Sequence, residues 1–74
     1  MTKIPISFDY KGKHYDGYFG EVFGAGRKMW HLMINNYYYG QLLFVNEKFV
    51  FYSNSGEMQD LAEKFCEQIM LWYE

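Results

Sequence analysis

Aromatic residues make up 23% of this chain and are unevenly distributed along it. Seventeen of the 74 residues are Phe, Trp or Tyr, and all but Phe65, Trp72 and Tyr73 lie within the first 52 positions. Many of them occur in short runs in which apolar and polar residues alternate, the pattern of a strand with one buried face. The distribution predicts a β-sheet followed by one C-terminal helix.

The length of the chain limits what its aromatic residues can do. We predict a single domain spanning residues 1–74, and a domain this small buries only about 60% of the surface that its unfolded chain exposes. Each buried aromatic side chain removes about 150–250 Å² from water. We therefore expect most of the aromatic residues in the core, where they cannot also form a platform for a ligand.

The charges of the chain are nearly balanced. Seven Lys and Arg residues against nine Asp and Glu residues give a net charge of -2 and a pI near 5.6. They form no block of like charge of the kind that favours nucleic acid or a membrane surface. Nucleic acid is therefore disfavoured as a partner.

Cys66 is the only cysteine, so the chain has no internal disulfide and a reducing compartment is expected. No apolar run approaches the length of a membrane-spanning helix, and the first residues do not resemble a signal peptide. These observations predict a cytoplasmic protein that does not contact a membrane. A mature secreted form whose signal had been removed would have the same sequence.

Alternating hydrophobicity and turn residues divide the chain into six elements. We predict strands at about residues 4–10, 13–23, 29–34, 37–44 and 48–52, and a helix at about residues 56–73. The helix follows Asn54 and Glu57, which are spaced as a capping box. The order predicts an α+β fold: a five-stranded antiparallel β-meander (β-β-β-β-β-α) with one C-terminal amphipathic helix packed across one face.

The first hairpin has a well-defined predicted register. Lys11 and Gly12 form a two-residue turn, which places Phe8 opposite Tyr15. Pro5 has no backbone N–H to donate, so the first strand is expected at an edge of the sheet.

The second hairpin turns at Asn35-Asn36, because asparagine tolerates left-handed backbone angles. With that register Ile34 faces Tyr37, Leu32 faces Tyr39 and Trp30 faces Gln41. Gly20 interrupts the second strand and is expected to form a β-bulge.

The chain carries no recognisable catalytic set. Cys66 lies in the middle of the predicted helix, where a small buried thiol is ordinary packing. His14 and His31 belong to different hairpins and have no partner at metal-ligand spacing, and Asp9 and Asp16 lie on a solvated strand face. We predict no catalytic residue, metal, cofactor or small-molecule ligand, and a protein that is not an enzyme. A pocket joining His31 to a carboxylate would favour an enzyme instead.

The outer side of strands three and four is largely apolar. In the predicted register it carries Met29, His31 and Met33 beside Leu42, Gly40 and Tyr38. One helix covers only one face of a sheet, so this side needs a twofold mate, a partner protein, an extended ligand or curling of the sheet itself. Our candidate interface consists of Met29, His31, Met33, Tyr38 and Leu42, and we expect protein–protein contact, most simply a homodimer. Two other interpretations stay open: a register shifted by one residue exchanges the two faces, and tight curvature buries both.

The alternative function is binding of single-stranded nucleic acid. Bases would stack on Tyr37 and Tyr39 of the aromatic sheet, and the phosphates would contact Arg27 and Lys28, the nearby basic pair. The default interpretation of these tyrosines is packing across the strands.

Several motifs resemble those of known small proteins. The motifs are Ile6-x-Phe8-x-Tyr10-Lys11-Gly12-Lys13-x-Tyr15, Trp30-His31-Leu32-x-Ile34-Asn35-Asn36, Gly40-x-Leu42 and Phe49-x-Phe51, with a helix ending in Tyr73-Glu74. They resemble small uncharacterised bacterial proteins with a β-meander and a C-terminal helix, a domain of unknown function. The resemblance implies the fold and no activity. The order of elements is also similar to that of the purine-rich-element-binding repeat, from which no residue is carried over.

Overall fold

The computed structural model describes residues 2–24 and 26–73. Its elements are β1 (Lys3–Tyr10), β2 (Lys13–Glu21), β3 (Met29–Ile34), β4 (Tyr37–Val45), β5 (Lys48–Ser53), a 3-10 turn (Gln59–Leu61) and α1 (Ala62–Trp72). The five strands form one antiparallel sheet in the order β1-β2-β3-β4-β5, curled into a half-barrel, and α1 follows it. The predicted α+β fold class is confirmed.

The register of the first hairpin agrees with the prediction. Phe8 pairs with Tyr15, and β1 lies at an edge of the sheet. Lys11 and Gly12 have positive φ angles of 50° and 78°, the conformation that a two-residue hairpin turn requires. The pairing places the apolar side chains of both strands on the concave face of the half-barrel.

The predicted register of the second hairpin is wrong beyond its first two pairs. Ile34 pairs with Tyr37 and Met33 pairs with Tyr38 as predicted, but a β-bulge follows, so that Leu32 pairs with Gly40 instead of Tyr39. Tyr39 is therefore the extra residue of the bulge.

The bulge exchanges the two faces of the rest of β4. Trp30 pairs with Leu42 instead of Gln41, and Leu42 is fully buried. Without the bulge the Gln41 amide would enter the core, where an unpartnered polar group is costly. Gly20, the predicted bulge site, pairs regularly with Lys3 and His31.

The helix begins later than predicted. The first α-helical residue is Ala62, after the 3-10 turn, and the predicted capping box does not form at the start of the helix. Gly56 and Met58 have φ angles of 89° and 64°, which are incompatible with a helix through these positions. Met58 instead buries its side chain in the core.

The core lies between the concave face of the sheet and α1. The ring of Phe65 meets the rings of Phe8, Phe19 and Phe51 at centroid distances of 5.3, 5.8 and 5.0 Å, each edge-on. Such edge-to-face pairs contribute beyond the area they bury. The buried residues are Ile6, Phe8, Phe19, Trp30, Leu32, Ile34, Leu42, Phe49, Phe51, Met58, Phe65 and Ile69.

The C-terminal end of α1 closes one end of the half-barrel. The Trp30 Nε1–H donates a hydrogen bond to the Tyr73 hydroxyl at 3.1 Å. The Tyr73 ring stacks on Phe49 at 5.7 Å, and the Lys28 ammonium lies 4.6 Å from the centroid of the same ring. Tyr73 therefore provides a hydrogen-bond acceptor for the indole N–H of Trp30, the largest fully buried side chain.

Side chains from the C-terminal region cover the free edge of β5. The Gln59 amide accepts a hydrogen bond from the Ser53 N–H at 2.9 Å and donates one to the Phe51 carbonyl at 2.8 Å. The Cys66 thiol donates to the Phe49 carbonyl at 3.2 Å. These side chains imitate a neighbouring strand, which protects the edge from pairing with another chain.

The opposite edge of the sheet is protected by Pro5. Because the Glu21 N–H bonds to the Thr2 carbonyl, the alternation of the antiparallel ladder turns the backbone of Lys3, Pro5 and Ser7 away from β2. Pro5 has no N–H at this position, so the outward edge lacks a donor there.

Two glycines allow the sheet to curl. A Cβ atom at Gly17 would lie 2.2 Å from the Met33 carbonyl oxygen, and one at Gly40 would lie 2.6 Å from the Tyr52 carbonyl oxygen. Both contacts are with backbone, which cannot move aside as a flexible side chain can. Any other residue at either position would open the half-barrel.

No helix in residues 2–24 and 26–73 has both the length and the apolar character needed to cross a membrane.

The close approach at Gly17 predicts a large difference between two glycines of the same strand. We expect Gly17→Ala to lower the free energy of unfolding by about 2–3 kcal/mol, because its Cβ overlaps backbone. Gly20→Ala is the matched control: its Cβ would meet only the Tyr18 ring, 3.3 Å away, on the convex face. We expect this variant to change stability by about 0.5 kcal/mol at most. Urea denaturation measures both, and equal losses would contradict the role assigned to Gly17.

Candidate association surface

The outer, convex face of the sheet has a polar half and an apolar half. The polar half, on β1 and the start of β2, carries Ser7, Asp9, His14 and Asp16. The rest of the face carries Lys3 and Lys48 at its margins and an uncharged area between them. We name this area the outer apolar surface, which consists of Tyr18, Met29, His31, Met33, Tyr38, Gln41, Leu43, Val45, Val50 and Tyr52. None of its members is fully buried, and none carries a formal charge when His31 is neutral. This face lies on the side of the sheet opposite to α1.

The centre of the outer apolar surface has both raised and recessed parts. Met33 lies between its strand partners Tyr18 and Tyr38, and the His31 ring meets the Tyr38 ring edge-on at 4.9 Å. Beside them is a cleft of about 210 Å³, formed where Gly20 has no side chain. Methionine side chains adapt their shape easily, and aromatic side chains are typical anchors of protein interfaces.

The structure places four of the five predicted interface residues on this surface. Met29, His31, Met33 and Tyr38 lie on the outer face. Leu42 does not: the bulge at Tyr39 turns it into the core, and Leu43 takes its place on the outer face.

The sequence analysis also missed members of the surface on the flanking strands. Tyr18 on β2 and Val50 and Tyr52 on β5 extend the apolar area to both sides. Simple alternation with the buried residues Phe19, Phe49 and Phe51 could have identified them.

The residues of the nucleic-acid alternative are not brought together. Lys28 directly precedes β3, and its carbonyl accepts a hydrogen bond from the Phe44 N–H. Tyr37, the first residue of β4, pairs with Ile34 at the other end of β3. The two ends are about 20 Å apart for a strand of this length. The Lys28 ammonium lies over the Phe44 and Tyr73 rings, and Tyr39 packs against the core.

The polar half of the outer face contains a hydrogen-bonded network across the first hairpin. His14 Nδ1 lies 2.8 Å from Asp9 Oδ1, and His14 Nε2 lies 2.9 Å from Ser7 Oγ and 3.2 Å from Asp16 Oδ1. The Ser7 hydroxyl donates to Asp16 Oδ1 at 2.8 Å. The hydrogen bonds to Asp9 and Asp16 raise the pKa of His14 above its ordinary value of 6.5. The hydrogen bond from Ser7 is the main cause that lowers the pKa of Asp16.

This network has the order of a serine nucleophile, a histidine base and a carboxylate, but it is arranged as a charge network. The Ser7 hydroxyl donates its hydrogen bond to Asp16 Oδ1, and the hydrogen bonds of His14 with the two carboxylates raise its pKa, which favours the imidazolium form over the free base. The His14 side chain is 56% exposed and the Asp9 side chain 81%. Open water at these groups weakens the electrostatic stabilisation that acyl transfer needs.

The other titratable residues named from the sequence are separate from this network. Burial raises the pKa of the Cys66 thiol, more than a hydrogen bond with the Phe51 backbone lowers it, so the thiol is the favoured form. The hydrogen bonds and ion pairs of the described residues join His31 to no carboxylate. Within residues 2–24 and 26–73, no group of three or more His, Cys, Asp or Glu side chains is arranged to hold a metal ion.

Comparison of the chain with models of protein families, with curated proteins and with solved structures finds no match. The resemblance to bacterial proteins with a β-meander and a C-terminal helix therefore stays a prediction. The surface must be interpreted from its own chemistry.

The network predicts the titration of His14. We expect a pKa above 6.5 in the folded protein, and a lower pKa in Asp9→Asn, because its hydrogen bond with Asp9 is the largest cause of the shift. The contribution of His14 to stability is fully present below pH 6.5 and is lost as the pH rises through its folded-state pKa, whereas that of Asp16, whose pKa is lowered, is lost as the pH falls through its folded-state pKa. NMR titration of the His14 ring protons measures both proteins, with Glu21→Gln as control. A His14 pKa that is the same in Asp9→Asn and the parent protein would contradict the arrangement.

Proposed function

We propose that this protein is a small non-enzymatic association module that forms a homodimer through its outer apolar surface. The observation that supports this is an apolar sheet face that α1 does not cover. Contiguous apolar surface on a small soluble domain is typical of an interaction site. Since Cys66 is the only cysteine and the chain can form no internal disulfide, we infer a reducing compartment such as the cytoplasm.

The protected edges favour association through the face of the sheet. A sheet can also associate by pairing its edge strands with those of another chain. Here Gln59 and Cys66 occupy the Ser53 N–H and the Phe51 and Phe49 carbonyls of the β5 edge, and Pro5 removes a donor from the β1 edge. The outer apolar surface is an apolar area on the face of the sheet that the protected edges leave accessible.

The dimensions of the molecule suit an interface of ordinary size. A stable interface buries about 800 Å² on each partner. The principal extents of the molecule are 35 × 25 × 23 Å, so one whole broad face has about this area, and the interface would extend from the outer apolar surface onto the polar half.

The shape and charge of the surface favour a second copy of the chain. A twofold interface places the same patch on both partners, so one patch must supply both protruding and receiving parts. The side chains of Met33 and Tyr38 can supply the protruding part, and the cleft above Gly20 can supply the receiving part. The members of the surface carry no formal charge with neutral His31, and the charged side chains that border it are of both signs: the Lys3 ammonium lies 4.7 Å from the centroid of the Tyr18 ring, and Glu21 lines the cleft.

The homodimer predicts a specific effect of Met33→Asp. We expect the parent protein to have twice the 9.0 kDa mass of one chain at high micromolar concentration. An unpaired carboxylate repeated on both sides of the interface should weaken the dimer by about 2 kcal/mol or more. Light scattering after size-exclusion chromatography measures the mass, and circular dichroism verifies that the variant is folded.

Met70→Asp is the matched control, because Met70 is 40% exposed on α1 and lies outside the outer apolar surface. Tyr38→Asp is a second test at a position that is 38% exposed, so that the result does not depend on one variant folding. A parent protein that is strictly monomeric, or a dimer that survives both surface variants and is lost in Met70→Asp, would overturn the proposal.

A further inference from the structure

A groove between β5 and α1 lies apart from the outer apolar surface. Its volume is about 490 Å³, within the range typical of binding sites. Its apolar lining consists of Phe49, Cys66, Met70 and Leu71, and its charged lining consists of Glu47, Lys48, Glu63 and Glu67. The groove therefore combines an apolar floor with three carboxylates.

The helix and a tight turn together position these side chains. Glu63, Glu67 and Met70 recur at intervals of four and three residues, which places them on one side of α1. Glu47 projects from the turn between β4 and β5, where Asn46 and Glu47 have φ angles of 52° and 68°. Carboxylates from two separate elements thus surround the same apolar floor.

The carboxylates of the groove have no basic partner within the described part of the chain. No Lys or Arg there forms a salt bridge with Glu47, Glu63 or Glu67. The lysines of the molecule mostly lie over aromatic rings elsewhere: the Lys64 ammonium is 5.9 Å from the Phe8 centroid, although Lys64 is a neighbour of Glu63 in the helix. Lys48 is the single cation of the lining, so negative charge dominates the groove.

We propose that this groove binds a short segment of a partner protein in which an apolar side chain is adjacent to Lys or Arg. The apolar side chain would lie on Phe49, Met70 and Leu71, and the cation would face the carboxylates. The segment would bind through its side chains and not by adding a strand, because Gln59 and Cys66 already occupy the Ser53 N–H and the Phe51 and Phe49 carbonyls of the β5 edge. This site functions whether or not the outer apolar surface forms a dimer.

The proposal is tested with two synthetic tetrapeptides, both acetylated and amidated: Lys-Leu-Phe-Arg and Glu-Leu-Phe-Glu. Titration into labelled full-length protein, followed by NMR, should shift the amide signals of β5 and α1 with the basic peptide only. Since each exposed charge pair contributes little, the double variant Glu63→Gln with Glu67→Gln should weaken binding about three- to tenfold. Added salt should weaken it as well, because the pairs are solvent-exposed.

Glu57→Gln is the matched control, because Glu57 is an exposed carboxylate outside the groove lining. Leu71→Ser tests the apolar floor at a position that is 60% exposed and so carries little risk to folding. We expect Glu57→Gln to bind the basic peptide as the parent protein does, and Leu71→Ser to bind it more weakly. Equal binding of the two peptides, absence of binding by the basic peptide, or shifts confined to the outer apolar surface would overturn the proposal.

Discussion

The packing of the Phe65 ring inside the curled sheet is the contact on which the rest of the structure depends. Phe65 touches Phe8 on β1, Phe19 on β2 and Phe51 on β5, so one helical residue joins both edge strands of the sheet. Flat, the sheet would hold β1 and β5 about four strand spacings of 4.7–4.9 Å apart, too far for one ring to reach both. The curl brings them together, and it is possible because Gly17 and Gly40 have no side chain where other strands approach.

The same curl determines which surfaces remain for other molecules. It brings the C-terminal region alongside β5, where Gln59 and Cys66 form hydrogen bonds with three outward backbone groups of the edge. Pro5 limits pairing at the other edge. The helix packs on the concave side, and residues 2–24 and 26–73 contain no second α-helix that could cover the convex side. The outer apolar surface is thus a direct result of covering a two-faced sheet with one helix, and association between copies is the simplest way to remove it from water.

Local sequence signals were sufficient for the fold class, the strand positions and the register of the first hairpin. In the first hairpin, a two-residue turn and uninterrupted alternation of apolar and polar residues leave few alternatives for the strand register. The second hairpin could not be read in the same way, because Tyr37, Tyr38 and Tyr39 are alike and nothing local indicates which of them is extra. The bulge is selected by packing: it places Leu42 in the core and Gln41 outside it. The late start of the helix has a similar cause, since burial of Met58 overrides the local capping pattern. Because of these errors the predicted interface contained one wrong residue, Leu42. The predicted position of the interface, on the outer face of β3 and β4, is the position of the outer apolar surface.

Isotope-filtered NOE spectroscopy tests the central claim most directly. In an equal mixture of labelled and unlabelled protein, only contacts between different copies of the chain are recorded. A dimer through the outer apolar surface predicts intermolecular signals from the Met29 and Met33 methyl groups to the rings of Tyr18, Tyr38 or Tyr52. Absence of such signals at high micromolar concentration, or intermolecular signals confined to α1, would contradict the assignment of this surface.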